Sequence, residues 1–157
     1  MSSRHLRAGA VALLALLAFA CGSSTPTITD VARAALTVTV QPTPVPPTQD
    51  VLTGSCSVSY KITLTETAGL GGTVQFVSSQ IFDPATGQLL SLTYFDSDDL
   101  TVFVGKNRID PGGTLVVPQT GTYILPDLSK NATLVVSAQM KDDRDNLINQ
   151  SVMVKVE

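Results

Sequence analysis

The chain has no tryptophan, a single histidine (His5) and only two cysteines (Cys21 and Cys56) in 157 residues. Each scarcity excludes a kind of chemistry. Nucleophilic catalysis by a triad needs a base between nucleophile and carboxylate, normally an imidazole, and His5 lies in a leader-like N-terminus. The lysines sit in no Ser-x-x-Lys setting. Zinc prefers sets of His and Cys that this chain cannot assemble. Two cysteines do not make a disulfide scaffold, so the fold must stand on an apolar core. Charged residues are 15% of the chain, and Lys and Arg number 10 against 13 Asp and Glu, for a net charge of −3. Past the leader no two basic residues are adjacent, which argues against nucleic acid, whose phosphates call for clustered Lys and Arg. It argues equally against an electrostatic hold on anionic lipid. Aromatic residues are 5%, few for stacking sugars, and there is no glycine-rich phosphate loop. The one long apolar run, Ala8–Ala20 broken by Gly9, is too short to span a bilayer of about 30 Å as a stable helix.

What is present begins with that run. Arg4, His5 and Arg7 precede it, and Ala18-Phe19-Ala20-Cys21 ends it. This is the layout of a secretory signal peptide over residues 1–20: basic start, apolar middle, small residues before the cut. The segment resembles the lipobox of bacterial lipoproteins, with Ala18 where those proteins usually have Leu. The resemblance implies that Cys21 becomes the acylated N-terminus, bearing palmitate-like chains, and that the protein is anchored in the cell envelope. Gly22 after the cysteine fits outer-membrane sorting if the host is Gram-negative. A plain secretory signal cut before Cys21 is the alternative. Loss of Arg4 and Arg7 with the leader moves the net charge to −5.

Residues 21–35 are mostly small and polar, too poor in large apolar side chains to offset the entropy of ordering, and read as a flexible tether. Leu36-Thr37-Val38-Thr39-Val40 then alternates as a half-buried strand does. Pro42, Pro44, Pro46 and Pro47 follow, which cannot donate to a central ladder. Either residues 36–40 form a first edge strand, with the prolines carrying the chain between sheet edges, or everything to about Asp50 is linker. The regular alternation favours the strand. From Cys56 on, strand signals succeed one another at Val58–Thr65, Val74–Ile81, Leu89–Tyr94, Leu100–Val104, Leu115–Val117, Tyr123–Leu125, Leu134–Met140 and Val152–Val156. Turn chemistry separates them at Asp83–Gly87 and Asp110–Gly113, at the polar Asp96–Asp99, and at Asp142–Asn146. No segment beyond the leader shows an apolar period of 3.6. The expectation is an all-β protein: a single antiparallel β-sandwich over residues 36–157. Its core should include Val58, Tyr60, Ile62, Leu64, Val74, Phe76, Leu134, Val136, Ala138, Val152, Val154 and Val156.

The ending Ala132–Ala138, Lys141–Asn146 and Val152–Val156 resembles the last two strands of bacterial immunoglobulin-like and fibronectin-type-III-like domains. There the hairpin often reads Asp-Asp-x-Gly-Asn; here Asp145 stands in the Gly position. The resemblance implies a sandwich fold and adhesion, spacing or recognition, with no single activity. The expected function is therefore a non-catalytic envelope module, not an enzyme and without a cofactor. It is held to a membrane by its lipid and binds a protein or glycan partner but no nucleic acid. The alternative is a calcium- or small-ligand-binding protein using two acidic loops, Asp96/Asp98/Asp99 and Asp142/Asp143/Asp145, since calcium takes carboxylate and carbonyl oxygens. Neither loop matches an EF-hand. Cys56 shares the parity of Val58 and Tyr60 and should be a buried, inert thiol.

Overall fold

The alternating segments become two antiparallel sheets in a computed structural model that describes residues 32–125 and 131–157. The leader, Cys21 and most of the tether lie outside the described residues. In the first sheet, β3 (Cys56–Glu66) is central. On one side it pairs with β1 (Leu36–Gln41) over Lys61–Glu66 and with the short β2 (Pro47–Gln49) over Cys56–Val58. Along its other side runs β7 (Thr114–Tyr123). The second sheet has the order β5-β4-β8-β9, from β5 (Leu89–Asp96), β4 (Gly72–Phe82), β8 (Ala132–Asp142) and β9 (Leu147–Val156). The two-residue β6 (Arg108–Ile109) adds to the start of β4. This is an all-β sandwich, as the alternation predicts.

The inward faces meet in one core. Cys56, Val58, Tyr60, Ile62 and Leu64 of β3 and Leu115 and Val117 of β7 pack with Val74, Val77 and Ile81 of β4, Leu134, Val136, Ala138 and Met140 of β8, and Val154 and Val156 of β9. The prolines do carry the chain from one sheet edge to the other. After β1 the chain crosses to β9, where Val45 N donates to Lys155 O (2.9 Å) and Val45 O accepts from Glu157 N (3.1 Å). It then returns to the first sheet as β2. The Gln41–Pro42 and Thr43–Pro44 bonds in this crossing are cis.

Four sequence expectations need correction. Asp96–Asp99 does not break two strands. It opens α1 (Ser97–Val104), where a strand was expected from Leu100. Asp96 caps the helix by accepting from Asp98 N (2.9 Å) and Asp99 N (2.8 Å), and Asp99 Oδ2 accepts in return from Asp96 N (3.2 Å), a capping box closed by two aspartates. Gly105, at φ 82°, ends the helix in the left-handed conformation that glycine adopts without strain. Pro118 does not divide two strands either, because β7 is an edge strand and the missing donor is tolerated there. Phe76 is not core: a register shift between Val74 and Phe76 turns Val77 inward and Phe76 outward, where its ring stacks on Tyr94 (5.6 Å between centroids). Val152 is only partly buried, and β9 begins five residues earlier than the alternation shows.

Val136, wholly buried at the middle of β8, reports on this face assignment. Val136→Ala is expected to destabilise the fold by about 2–3 kcal/mol through lost transfer free energy and a residual cavity, measured by denaturant unfolding. A loss under about 0.5 kcal/mol, the range of surface substitutions, would contradict the packing.

Candidate functional site

Two acids at one end of the sandwich are almost entirely buried: Glu66, 1% exposed at the end of β3, and Asp142, 3% exposed at the end of β8. A buried carboxylate is costly unless its oxygens are satisfied, and both of these are. Glu66 Oε1 accepts from Ala68 N (2.7 Å) and Ala35 N (3.3 Å), and Oε2 from Gly69 N and Gly112 N (both 2.9 Å). Asp142 Oδ1 accepts from Asn146 N (2.8 Å) and Arg144 N (2.9 Å), and Oδ2 from Ala34 N (3.1 Å) and Asn146 Nδ2 (3.0 Å). Adjacent amides of the entering chain, Ala34 and Ala35, are thus held by one acid from each sheet. Burial pushes both carboxyls up, but the converging donors outweigh it. The Asp142 pKa is lowered from 3.8 to about 2, and that of Glu66 falls below its ordinary 4.5.

The sequence placed Asp142, Asp143 and Asp145 together as a solvated acidic loop and a weak calcium candidate. The structure gives each its own donors. Asp142 is buried. Asp143 makes a two-pronged ion pair with Arg108 (2.7 and 2.8 Å), which holds its carboxyl below the usual range and raises the guanidinium. Asp145 pairs with Lys141 (2.9 Å) and takes φ 63°, in the left-handed region that favours glycine. Asp143 N reaches across to Gly71 O (3.0 Å). Beside it Gly72 admits no larger residue, since a Cβ there would meet Lys141 O at 2.7 Å. The other loop, Asp96, Asp98 and Asp99, serves the first turn of α1. Among the described residues no three His, Cys, Asp or Glu side chains gather as a metal would need.

Cys56 is free and fully buried, as its parity indicates. It faces Tyr123 across β3 and β7, and burial together with the Cys56 sulfur pushes the Tyr123 hydroxyl well above its ordinary value. Burial likewise raises Tyr60, a contact with Ser79 opposing it.

Two surface features are not consumed by the fold. An open groove of about 1220 Å³ is lined by Val40, Tyr60, Lys61, Phe95, Phe103 and Gln119 among others, and Lys61 is the only charged one among the described lining residues. Gln119 is buried, and its Nε2 has no hydrogen-bond partner among the described residues. The groove's described lining is mostly apolar and neutral polar, with Tyr60 and Lys61 as the titratable side chains. The second feature is β5, an outer strand of its sheet on which Leu92 and Tyr94 are each 55% exposed. The sequence reading named neither Gln119 nor Leu92. The run Leu89–Phe95, free of charge and proline, was the available sign of an open edge.

No protein-family model and no curated protein matches the chain. Solved structures share its fold. A putative ApaA protein from Bordetella pertussis superposes with a TM-score of 0.58 at 13% identity, covering 80% of this chain and 97% of the other. A further structural-genomics target gives 0.56 at 13%, covering 77% and 86%. A CARDB domain from Pyrococcus furiosus, solved with di-metal ions, is more distant at 0.39 and 13%, covering 79% and 87%. At these identities the first two superpositions extend the likeness to the fold alone, a β-rich sandwich.

The Asp142 carboxylate sets an acid limit. Its folded pKa lies below 3.8, so its contribution to stability is complete above that value and is lost as pH falls toward about 2. Asp142→Asn cannot ionise and presents an NH2 to donors. It is expected to lower the melting temperature at neutral pH and to flatten its dependence on pH between about 4 and 2. A variant profile parallel to the wild type would contradict the assignment.

Proposed function

We propose that the chain is a non-catalytic module of the bacterial cell envelope, anchored by acyl chains on Cys21, whose sandwich docks another protein strand. The observation that carries this reading is the contrast within the fold. Glu66, Asp142 and Asp143 are committed to backbone amides and an ion pair, whereas β5 keeps an open edge with half-exposed apolar side chains. Strand addition to such an edge draws affinity from main-chain hydrogen bonds and specificity from alternate side chains. Among the described residues no helix is long and apolar enough to cross a membrane; in this reading the attachment is the Cys21 lipid. Two acyl chains hold a protein stably where one is marginal. Few aromatic faces are open to a sugar: Tyr60 and Tyr123 are buried, and Tyr94 shares its ring face with Phe76.

Two measurements test the proposal. Mass spectrometry of the mature N-terminus is expected to find Cys21 acylated; an unmodified Cys21 overturns the anchor. A photo-crosslinking residue at Leu92 is expected to trap one defined protein in intact envelope, and the same residue at the exposed Val116 of β7 to trap none. Equal labelling from both positions, or capture of glycan alone, overturns protein docking at β5.

A further inference from the structure

We propose that the strand docked on β5 is β5 of a second copy of this chain, antiparallel about a two-fold axis at Thr93. This rests on the reading of β5 as a docking edge and names its partner. Exposed strand edges template pairing, and folded proteins guard them with proline, charge or covering chain. The other edges here are guarded or polar. On β7, Pro118 withholds a donor at mid-strand and Lys106 Nζ occupies the Thr114 carbonyl (3.1 Å). The β1–β2 side is interrupted by the proline crossing. Val45 covers the end of β9, whose open part centres on polar Asn149, Gln150 and Ser151. Among the described strands, only β5 combines an open edge, a neutral run from Leu89 to Phe95 and large exposed apolar side chains.

The order of residue types identifies the partner. A two-fold interface must be self-complementary, residue i meeting j and j meeting i. Beyond the register shift near Leu90, β5 is regular from Ser91 to Asp96, with Ser91, Thr93 and Phe95 turned inward and Leu92 and Tyr94 outward. An axis at Thr93 sets each Leu92 opposite the partner copy's Tyr94, so the two half-exposed apolar side chains of one copy cover those of the other. Thr93 meets its own copy, and Thr–Thr pairs are favourable across antiparallel strands. Asp96 falls opposite Leu90, so two acidic chains meet with no like charges opposed. The result is one continuous sheet of ten strands, five from each molecule, the short β6 included.

Analytical ultracentrifugation of residues 22–157, which contain every described core residue, tests the proposal with substitutions that read the register. The wild type is expected to show a reversible monomer–dimer equilibrium. Leu92→Lys with Tyr94→Lys opposes like charges and is expected to give monomers. Leu92→Lys with Tyr94→Asp sets Lys against Asp twice and is expected to restore a dimer that weakens with salt. Opposed side chains in such a pair have Cβ atoms about 4.5–5.5 Å apart. Thr93→Cys is therefore expected to form an intermolecular disulfide under mild oxidation and Leu92→Cys not, a readout that survives if the lysine variant folds poorly. A wild type that stays monomeric at every concentration, or equal disulfide formation by both cysteine variants, overturns self-pairing. Crosslinking from Leu92 to a different protein likewise overturns self-pairing while upholding docking at β5.

Discussion

The hold of Glu66 and Asp142 on the backbone at one end of the sandwich is the constraint on which the rest of the structure depends. A sandwich of two sheets coheres by apolar contact between faces, which is non-directional and leaves the sheets free to slide. The two acids supply direction. Glu66 ties the end of β3 to the Ala68–Gly69 turn and to Gly112, ahead of β7; Asp142 closes the hairpin between β8 and β9. The neighbouring amides of Ala35 and Ala34 then join the two acids through one short piece of backbone. The entering chain is thereby placed with its next residue in register on β3, where Leu36 meets Glu66. An unpaired buried carboxylate would be strongly unfavourable, so each acid disfavours any arrangement that fails to bring its donors together.

The same commitment shapes what the protein can do. A carboxylate that already accepts from three or four donors has little capacity left for a cation, and a pKa drawn down by those donors suits no general acid at neutral pH. Chemistry is spent at the acidic end on holding the fold. On the proposed reading, recognition falls to surfaces the fold leaves unused: the groove beside Gln119, and above all the β5 edge. The two features adjoin, since Thr93 and Phe95 of β5 line the groove.

The architecture was legible because each long strand buries one face, and the resulting period of two is carried by residues such as Val58–Leu64 and Leu134–Met140. Departures arose where a local device overrode that period. The extra residue near Gln75 shifts β4 by one step, which no single-strand pattern reveals. The helix α1 buries only Leu100, so it has no apolar stripe to detect; its signs were Asp96 and Asp99 three apart and Gly105 just past its end. Pro118 reads as a break unless the strand is known to be an edge. Asp142 read as a soluble turn residue because its near donors, Arg144 and Asn146, are those of any turn, while the amide of Ala34, which ties it to the entering chain, lies 108 positions away. Sequence distance hid the acids' role, while composition correctly signalled their chemical neighbours to be turns.

Amide hydrogen exchange of the folded domain tests the central claim most directly. If the two acids lock the entry segment into the sandwich, the amides of Ala34, Ala35 and Gly112 should open only with global unfolding, and exchange as slowly as those of the β3–β7 ladder. Exchange as fast as that of the exposed Val51–Thr53 turn, while the ladder stays protected, would contradict the account.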